Sequence, residues 1–101
     1  MNHRFITRTV VMLFVTSLYS LAAADGAALF KSKCAGCHGA NGEGKPAVKA
    51  PALKGTTRDV AQITDHLMKG ESSSKPPHNK GINGLSEEQA KAIADYVKSL
   101  K

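Results

Sequence analysis

The soft metal ligands of this chain are concentrated in one short stretch, residues 34–38, which reads CAGCH. It contains both cysteines of the sequence, Cys34 and Cys37, followed directly by His38, one of four histidines. Four kinds of site use such residues: a structural disulfide, a thioredoxin-like redox pair, a zinc site and a covalent haem attachment site. The spacing and the surroundings of the cysteines distinguish among them.

Three of these alternatives fit the sequence poorly. A disulfide across two intervening residues closes a small loop and therefore constrains the unfolded chain little. A thioredoxin-like pair needs a strand–helix context, which is missing, and zinc needs four ligands at recognisable spacing, but no second CxxC or HxxxH pair exists. Cys-x-x-Cys-His is the signature of covalent haem attachment. We therefore expect thioether bonds from Cys34 and Cys37 to one haem, with His38 as its proximal iron ligand.

The segment before this motif predicts export. Arg4 and Arg8 precede a mostly apolar run of about 13 residues, and Ala22, Ala23 and Ala24 then provide the small residues that a signal peptidase reads. The run is shorter than the roughly 20 residues that span a bilayer. We expect residues 1–24 to be a cleaved signal peptide and residues 25–101 to be one periplasmic or otherwise exported domain. An uncleaved membrane anchor is the alternative.

The composition of residues 25–101 limits what the domain can do. It has no tryptophan, and its aromatic residues are Phe30 and Tyr96, so a cofactor would help to fill so small a core. Twelve of the fourteen basic and all eight acidic residues lie in it, which makes its net charge +4. The lysines are scattered rather than arranged in a stripe, which argues against nucleic-acid binding and favours transient contact with acidic proteins. We expect a monomer.

Three helices are expected to position the motif. The first covers residues 25–33, and the second covers residues 58–69, with Thr56 or Thr57 as its cap and Gly70 as its end. The third begins at the capping box SEEQ, residues 86–89, and continues with apolar residues at helical spacing. No segment alternates like a strand, so the predicted class is all-α. Long loops over residues 39–55 and 71–84 would wrap the cofactor.

With these features the chain resembles the class I c-type cytochromes, in particular the small bacterial periplasmic kind with one haem. The resemblance covers residues 26–101 and depends on DGAALFKSKCAGCHGANGEG, APALKG and LSEEQAKAIADYVKSL. It implies the cytochrome c fold, in which three main helices and long loops surround one covalent haem. It also implies that Gly26 and Phe30 cross the last helix at Ile93 and Tyr96. Finally, it implies that the Pro51 carbonyl accepts a hydrogen bond from His38 Nδ1, which would orient that ligand.

The loop before the last helix departs from the family pattern. Most members carry a methionine there as the second axial ligand, but residues 72–88, SSSKPPHNKGINGLSEE, contain none. His78 lies near the family position and follows Pro76 and Pro77, a pair expected to be stiff and extended. We therefore expect His78 to be the distal iron ligand.

Other distal ligands remain open. Met68 is the one methionine of residues 25–101 and the main alternative to His78. Asn79, His66 or a labile sixth position are further alternatives. The spacing of His66 is taken to place it off the face of the second helix, so it is interpreted as a surface histidine.

These ligands predict an electron carrier without enzymatic activity. Two imidazoles favour ferric iron more than a methionine does, so a His38/His78 haem would have a low reduction potential. Its partners would be redox proteins that dock transiently on surface lysines, drawn from Lys45, Lys49, Lys54, Lys75 and Lys80. A haem-based sensor of small ligands with a displaceable distal residue is the alternative from another class, and a conventional carrier using Met68 is a third.

Overall fold

The computed structural model describes residues 25–101, and the predicted signal peptide, residues 1–24, lies outside the described residues. Four helices follow one another: α1 (Gly26–Lys33), α2 (Ala35–His38), α3 (Val60–Lys69) and α4 (Glu87–Ser99). No β-strand occurs between residues 25 and 101, which confirms the all-α prediction. Within the same residues, no helix has both the length and the apolar character needed to cross a membrane.

Local side-chain bonds determine where α1 and α4 begin. The Asp25 carboxylate accepts a hydrogen bond from the backbone N–H of Ala28, 3.2 Å away, at the start of α1. At the start of α4, the Ser86 hydroxyl accepts from the Gln89 N–H, and the Gln89 side chain accepts from the Ser86 N–H. Each pair satisfies backbone donors that have no partner within the helix. The capping box predicted for the last helix is therefore confirmed.

The cap of α3 differs from the prediction. Asp59, and neither Thr56 nor Thr57, is the N-cap, and it forms a reciprocal capping box with Gln62. A carboxylate at this position accepts the free N–H groups and also interacts favourably with the helix dipole, so it is a stronger cap than a threonine two or three residues earlier. Gly70 ends the helix with φ +68°, as predicted.

Helix α4 supports the rest of the fold because both α1 and α3 pack on it. Phe30 and Ile93 are each 1% exposed, and the ring centres of Phe30 and Tyr96 lie 5.2 Å apart. Where α1 crosses α4, a Cβ atom on Gly26 would overlap the carbonyl oxygen of Ala92. The helix crossing implied by the family resemblance is therefore present, and it requires a residue without a side chain.

Gly26→Ala is expected to destabilise the protein by about 1–3 kcal/mol, because the added methyl group must push α1 away from α4. Ala27→Ser is the control, since it adds one heavy atom at the neighbouring, exposed position of α1. Denaturant unfolding of the haem-loaded protein measures both. Equal stabilities of the two variants would show that the crossing is looser than described.

Candidate haem-binding site

The cysteines and His38 lie on a single helical turn. Cys34 ends α1 and also precedes α2, and Cys37 and His38 complete α2. The two thiols are free; Cys34 is buried and Cys37 is exposed. Burial raises the pKa of the Cys34 thiol. Because one turn holds all three side chains, the two sulfurs and the imidazole are positioned together.

His38 is oriented by a backbone carbonyl. Its side chain is almost fully buried, and its Nδ1 lies 2.8 Å from the carbonyl oxygen of Pro51. A carbonyl only accepts hydrogen bonds, so Nδ1 carries the proton and Nε2 keeps the lone pair that a metal requires. The Leu53 N–H donates to the Gly42 carbonyl at 2.7 Å and holds the Pro51 segment close to the motif. The contact between His38 Nδ1 and the Pro51 carbonyl is the one that the family resemblance implies.

His78 lies opposite His38 although the two are far apart in the chain. Their ring centres are 5.9 Å apart and the ring planes are inclined by 43°. Two metal–imidazole bonds of about 2.0 Å through one ion would place the ring centres about 6 Å apart. The observed separation therefore fits an iron between the two rings.

The loop of residues 71–82, here called the distal loop, is attached to the end of α3. The Ile82 N–H donates to the Leu67 carbonyl at 2.9 Å, and the Glu71 N–H donates to the His78 carbonyl at 2.8 Å. A Cβ atom on Gly81 would overlap the backbone of Met68. The distal loop therefore lies close against α3. This contact helps to set the distance between His78 and His38.

A turn, and not an extended segment, presents His78. The His78 N–H donates to the Lys75 carbonyl at 3.0 Å, with Pro76 and Pro77 between them. The expectation that the two prolines would be extended is wrong. A hydrogen bond across the pair closes the chain into a turn, which directs the His78 side chain inward.

His66 was interpreted from the sequence as a surface histidine, and that interpretation is wrong. Its side chain is only 18% exposed, and its ring centre lies 4.9 Å from that of His78. Residues three apart share a helix face, so the spacing from Ile63 places His66 beside the buried stripe of α3. The i, i+3 relation was the signal in the sequence that could have identified it.

A pair of charged residues flanks His66. Glu71 Oε1 lies 2.9 Å from an Arg58 guanidinium nitrogen and 3.2 Å from His66 Nδ1. The hydrogen bond from Arg58 is the main reason that the pKa of Glu71 is lowered, so this carboxylate is ionised at neutral pH. The contact between Glu71 and His66 Nδ1 is close but is not aligned as a hydrogen bond.

The other distal candidates lie in different environments. Met68 is partly buried and packs against the apolar core, and Asn79 is partly buried beside His78 in the turn. Among residues 25–101, no group of three or more histidine, cysteine or acidic side chains could hold a metal ion, as a structural zinc site would require.

The residues described fit a haem group. Burial, with smaller contributions from His66, His38 and Arg58, lowers the pKa of His78, so its imidazole is neutral and able to bind metal at neutral pH. Its Nδ1 atom is buried without a hydrogen-bond partner in the described part of the chain. A neutral imidazole facing His38 across about 6 Å, next to two free thiols, matches the donors that a covalent haem uses.

An all-helical fold built around a Cys-x-x-Cys-His turn defines a haem protein of the c type. The chain belongs to the cytochrome c family, whose profile matches residues 23–101. Members carry covalent haem c and transfer electrons, and Cys34 and Cys37 are the two cysteines available for attachment here.

Curated relatives agree with this assignment. The chain is 31% identical to cytochrome c-553 of Nitratidesulfovibrio vulgaris, over 99% of this chain and all of the relative. It is 39% identical to cytochrome c-551 of Stutzerimonas stutzeri, over 78% of this chain and 80% of the relative. A third relative is the CcoP subunit of the cbb3-type cytochrome c oxidase of Rhodobacter capsulatus, at 34% identity over 77% of this chain and 29% of that subunit.

Solved structures show the same fold at low sequence identity. The c-type cytochrome KustC0563 superposes with a TM-score of 0.59 at 20% identity, covering 76% of this chain and 98% of that one. Cytochrome cL of Methylophaga aminisulfidivorans superposes with a TM-score of 0.51 at 24% identity, covering 81% and 55% of the two chains. These likenesses support the cytochrome c fold.

Gly81→Ala is expected to move the distal loop away from α3, because the added methyl group overlaps the Met68 carbonyl. The hydrogen bond from Ile82 to Leu67 would weaken, and the Ile82 amide would exchange with solvent faster. Hydrogen exchange followed by NMR measures this directly. The control is Ala27→Ser at an exposed position of α1, for which the Ile82 rate should equal that of the wild type. An unchanged rate in Gly81→Ala would contradict the close approach.

Proposed function

We propose that this protein is a periplasmic carrier of single electrons whose haem iron is held between His38 and His78. The observation that carries the proposal is the 5.9 Å separation of the two imidazole ring centres. Bound haem c supplies an iron that cycles between ferric and ferrous states. The chain holds both imidazoles in place through the cycle, so that little rearrangement accompanies each electron.

The proximal half of this site is His38 with its carbonyl partner. The 2.8 Å contact between His38 Nδ1 and the Pro51 oxygen supports a role for Pro51 in orienting the ligand. A histidine that donates its second N–H to a carbonyl is a more basic ligand and keeps one ring orientation. Cys34 and Cys37 would attach one edge of the haem covalently beside His38.

The distal half determines the reduction potential. A methionine at this position raises the potential of a c-type haem, whereas an imidazole donates more strongly to ferric iron. We therefore assign this protein a lower potential than its methionine-ligated relatives. A bis-histidine iron also has no free coordination position, which favours electron transfer over catalysis or gas sensing.

Export follows from the first 24 residues, which have the charged start, short apolar run and small residues of a cleaved signal peptide. The mature carrier would then be the domain of residues 25–101 acting as a monomer in the periplasm.

We assign partner docking to the surface beside Cys37, the exposed cysteine of the motif. The Lys45 ammonium donates to the Gly36 carbonyl at 3.2 Å, so the loop of residues 45–50 lies directly against the haem attachment turn. This loop also carries Val48, 56% exposed, and the exposed Lys49. An apolar side chain between cations suits brief contact with an acidic redox partner. Lys54, and Lys75 and Lys80 of the distal loop, are the further lysines from which the docking surface would be drawn.

The distal ligand is tested by His78→Ala. We expect the ferric protein to lose its low-spin bis-histidine EPR signal and to become high-spin or to bind added imidazole, because the sixth position opens. Optical and low-temperature EPR spectra in both oxidation states measure this change. His78→Met should instead raise the midpoint potential and introduce the long-wavelength charge-transfer band of methionine-bound ferric haem.

The matched control is Met68→Leu, a substitution of similar volume at a side chain that packs against the core. Its spectra should equal those of the wild type. If Met68→Leu alters the spectra and His78→Ala leaves them unchanged, the protein is a conventional His/Met carrier. A wild-type protein with a high-spin ferric signal would instead favour the sensor.

Docking through lysines predicts a salt-dependent rate. The second-order rate of electron exchange with an acidic redox protein should fall as ionic strength rises, because salt screens the attraction between the partners. Lys49→Gln should lower the rate at low salt and flatten this dependence. Lys91→Gln, an exposed lysine on α4, removes the same charge elsewhere and should have a smaller effect. Equal effects of the two variants would show that the net charge of the protein, and not this docking surface, controls the rate.

A further inference from the structure

The distal side contains a buried polar atom that the proposed ligation leaves unexplained. His78 Nδ1 has no hydrogen-bond partner among the described residues, and the same is true of His66 Nδ1. If Nε2 of His78 binds iron, its Nδ1 carries a proton that needs an acceptor, since a buried donor without a partner is unfavourable. The side chain packed against this ring is His66.

The separation of the two rings suits a hydrogen bond. Imidazoles joined by an N–H···N bond of about 2.9 Å have their ring centres about 5 Å apart. The observed separation is 4.9 Å, with the ring planes inclined by 36°. The separation of the two ring centres therefore matches that of two hydrogen-bonded imidazoles.

Glu71 determines which nitrogen of His66 can accept. Its carboxylate lies 3.2 Å from His66 Nδ1 and is itself held by Arg58 at 2.9 Å. A carboxylate beside Nδ1 favours the tautomer with the proton on that atom, which leaves the lone pair on Nε2. His66 is then an acceptor on the side that faces away from Glu71.

We propose that His66 is a positioning residue for the distal ligand, accepting a hydrogen bond from His78 Nδ1 while Glu71 and Arg58 hold His66 in the accepting tautomer. This inference rests on the proposed ligation of iron by His78. It gives the distal ligand the same kind of support that Pro51 gives to His38. A hydrogen-bonded imidazole is the more basic ligand, so His66 stabilises the ferric state and lowers the potential.

The competing explanation is that the rings of His66 and His78 only stack. Two substitutions distinguish stacking from the proposed hydrogen bond. His66→Phe keeps an aromatic ring against His78 but removes the acceptor, whereas His66→Gln keeps a carbonyl acceptor but removes the ring. We expect His66→Phe to raise the midpoint potential and shift the ferric EPR g-values, and His66→Gln to stay near the wild type. Loss of such a partner typically weakens metal binding 10–100-fold, and each tenfold loss of ferric over ferrous preference corresponds to about 59 mV.

A second pair of variants leaves the mostly buried His66 unchanged and tests its neighbour Glu71 instead. Glu71→Gln should raise the potential by less than His66→Phe, because the neutral amide holds the tautomer of His66 more weakly. Asp65→Asn removes a negative charge from the same helix, but at a carboxylate that pairs with Lys69 at 2.9 Å. It should leave the g-values unchanged. Equal shifts from Glu71→Gln and Asp65→Asn would reduce the effect to general electrostatics and overturn the proposal.

The wild-type spectrum separates the failure of this inference from failure of the proposed ligation. A low-spin bis-histidine signal that disappears in His78→Ala establishes the ligand on which the inference depends. If that signal is present, and His66→Phe keeps the wild-type potential and g-values while His66→Gln changes them, stacking is the correct explanation. If the wild type lacks a bis-histidine signal, both proposals fail together.

Discussion

The packing of α1 and α3 on α4 is the contact on which the rest of the described structure depends, since the segments that carry the two imidazole rings follow these helices. His38 is placed by the short helix α2 and by the Pro51 carbonyl. His78 is placed by a turn in the distal loop, which is bonded to the end of α3. Because α1 leads into α2 and α3 leads into the distal loop, the packing of both helices on α4 brings the ring centres of His38 and His78 to within 5.9 Å of each other.

The two sides of the proposed site differ in how firmly they are held. The proximal side has two cysteines and an aligned hydrogen bond of 2.8 Å on a single helical turn. The distal loop has few apolar residues, and backbone hydrogen bonds and close glycine contacts attach it to α3. A loop held by few contacts accepts substitutions more easily than a packed helix. This explains how a histidine can stand in a region where most family members have methionine, without a change of fold.

The sequence predicted the regular elements well wherever a local bond defines them. The box formed by Ser86 and Gln89 predicted the start of α4, and Gly70 predicted the end of α3. The cap of α3 was assigned wrongly because Thr56, Thr57 and Asp59 are all capping residues, and sequence alone does not rank them by geometry. His66 was missed for a different reason: an amphipathic pattern shows which face is apolar but not which polar residue at its border another segment covers.

The chemistry of attachment is local, because Cys34, Cys37 and His38 lie within one helical turn and need only that turn to be positioned together. The amino-acid sequence alone was therefore sufficient to predict the cofactor and its covalent attachment, and the same turn predicts His38 as the proximal ligand. The approach of His38 to His78 joins positions 40 residues apart, and the contacts of His66 with His78 and of Arg58 with Glu71 join positions 12 and 13 residues apart. These contacts exist only once the helices have packed on α4, so only the folded structure reveals that His66, His78 and the pair Arg58–Glu71 form one distal environment opposite His38.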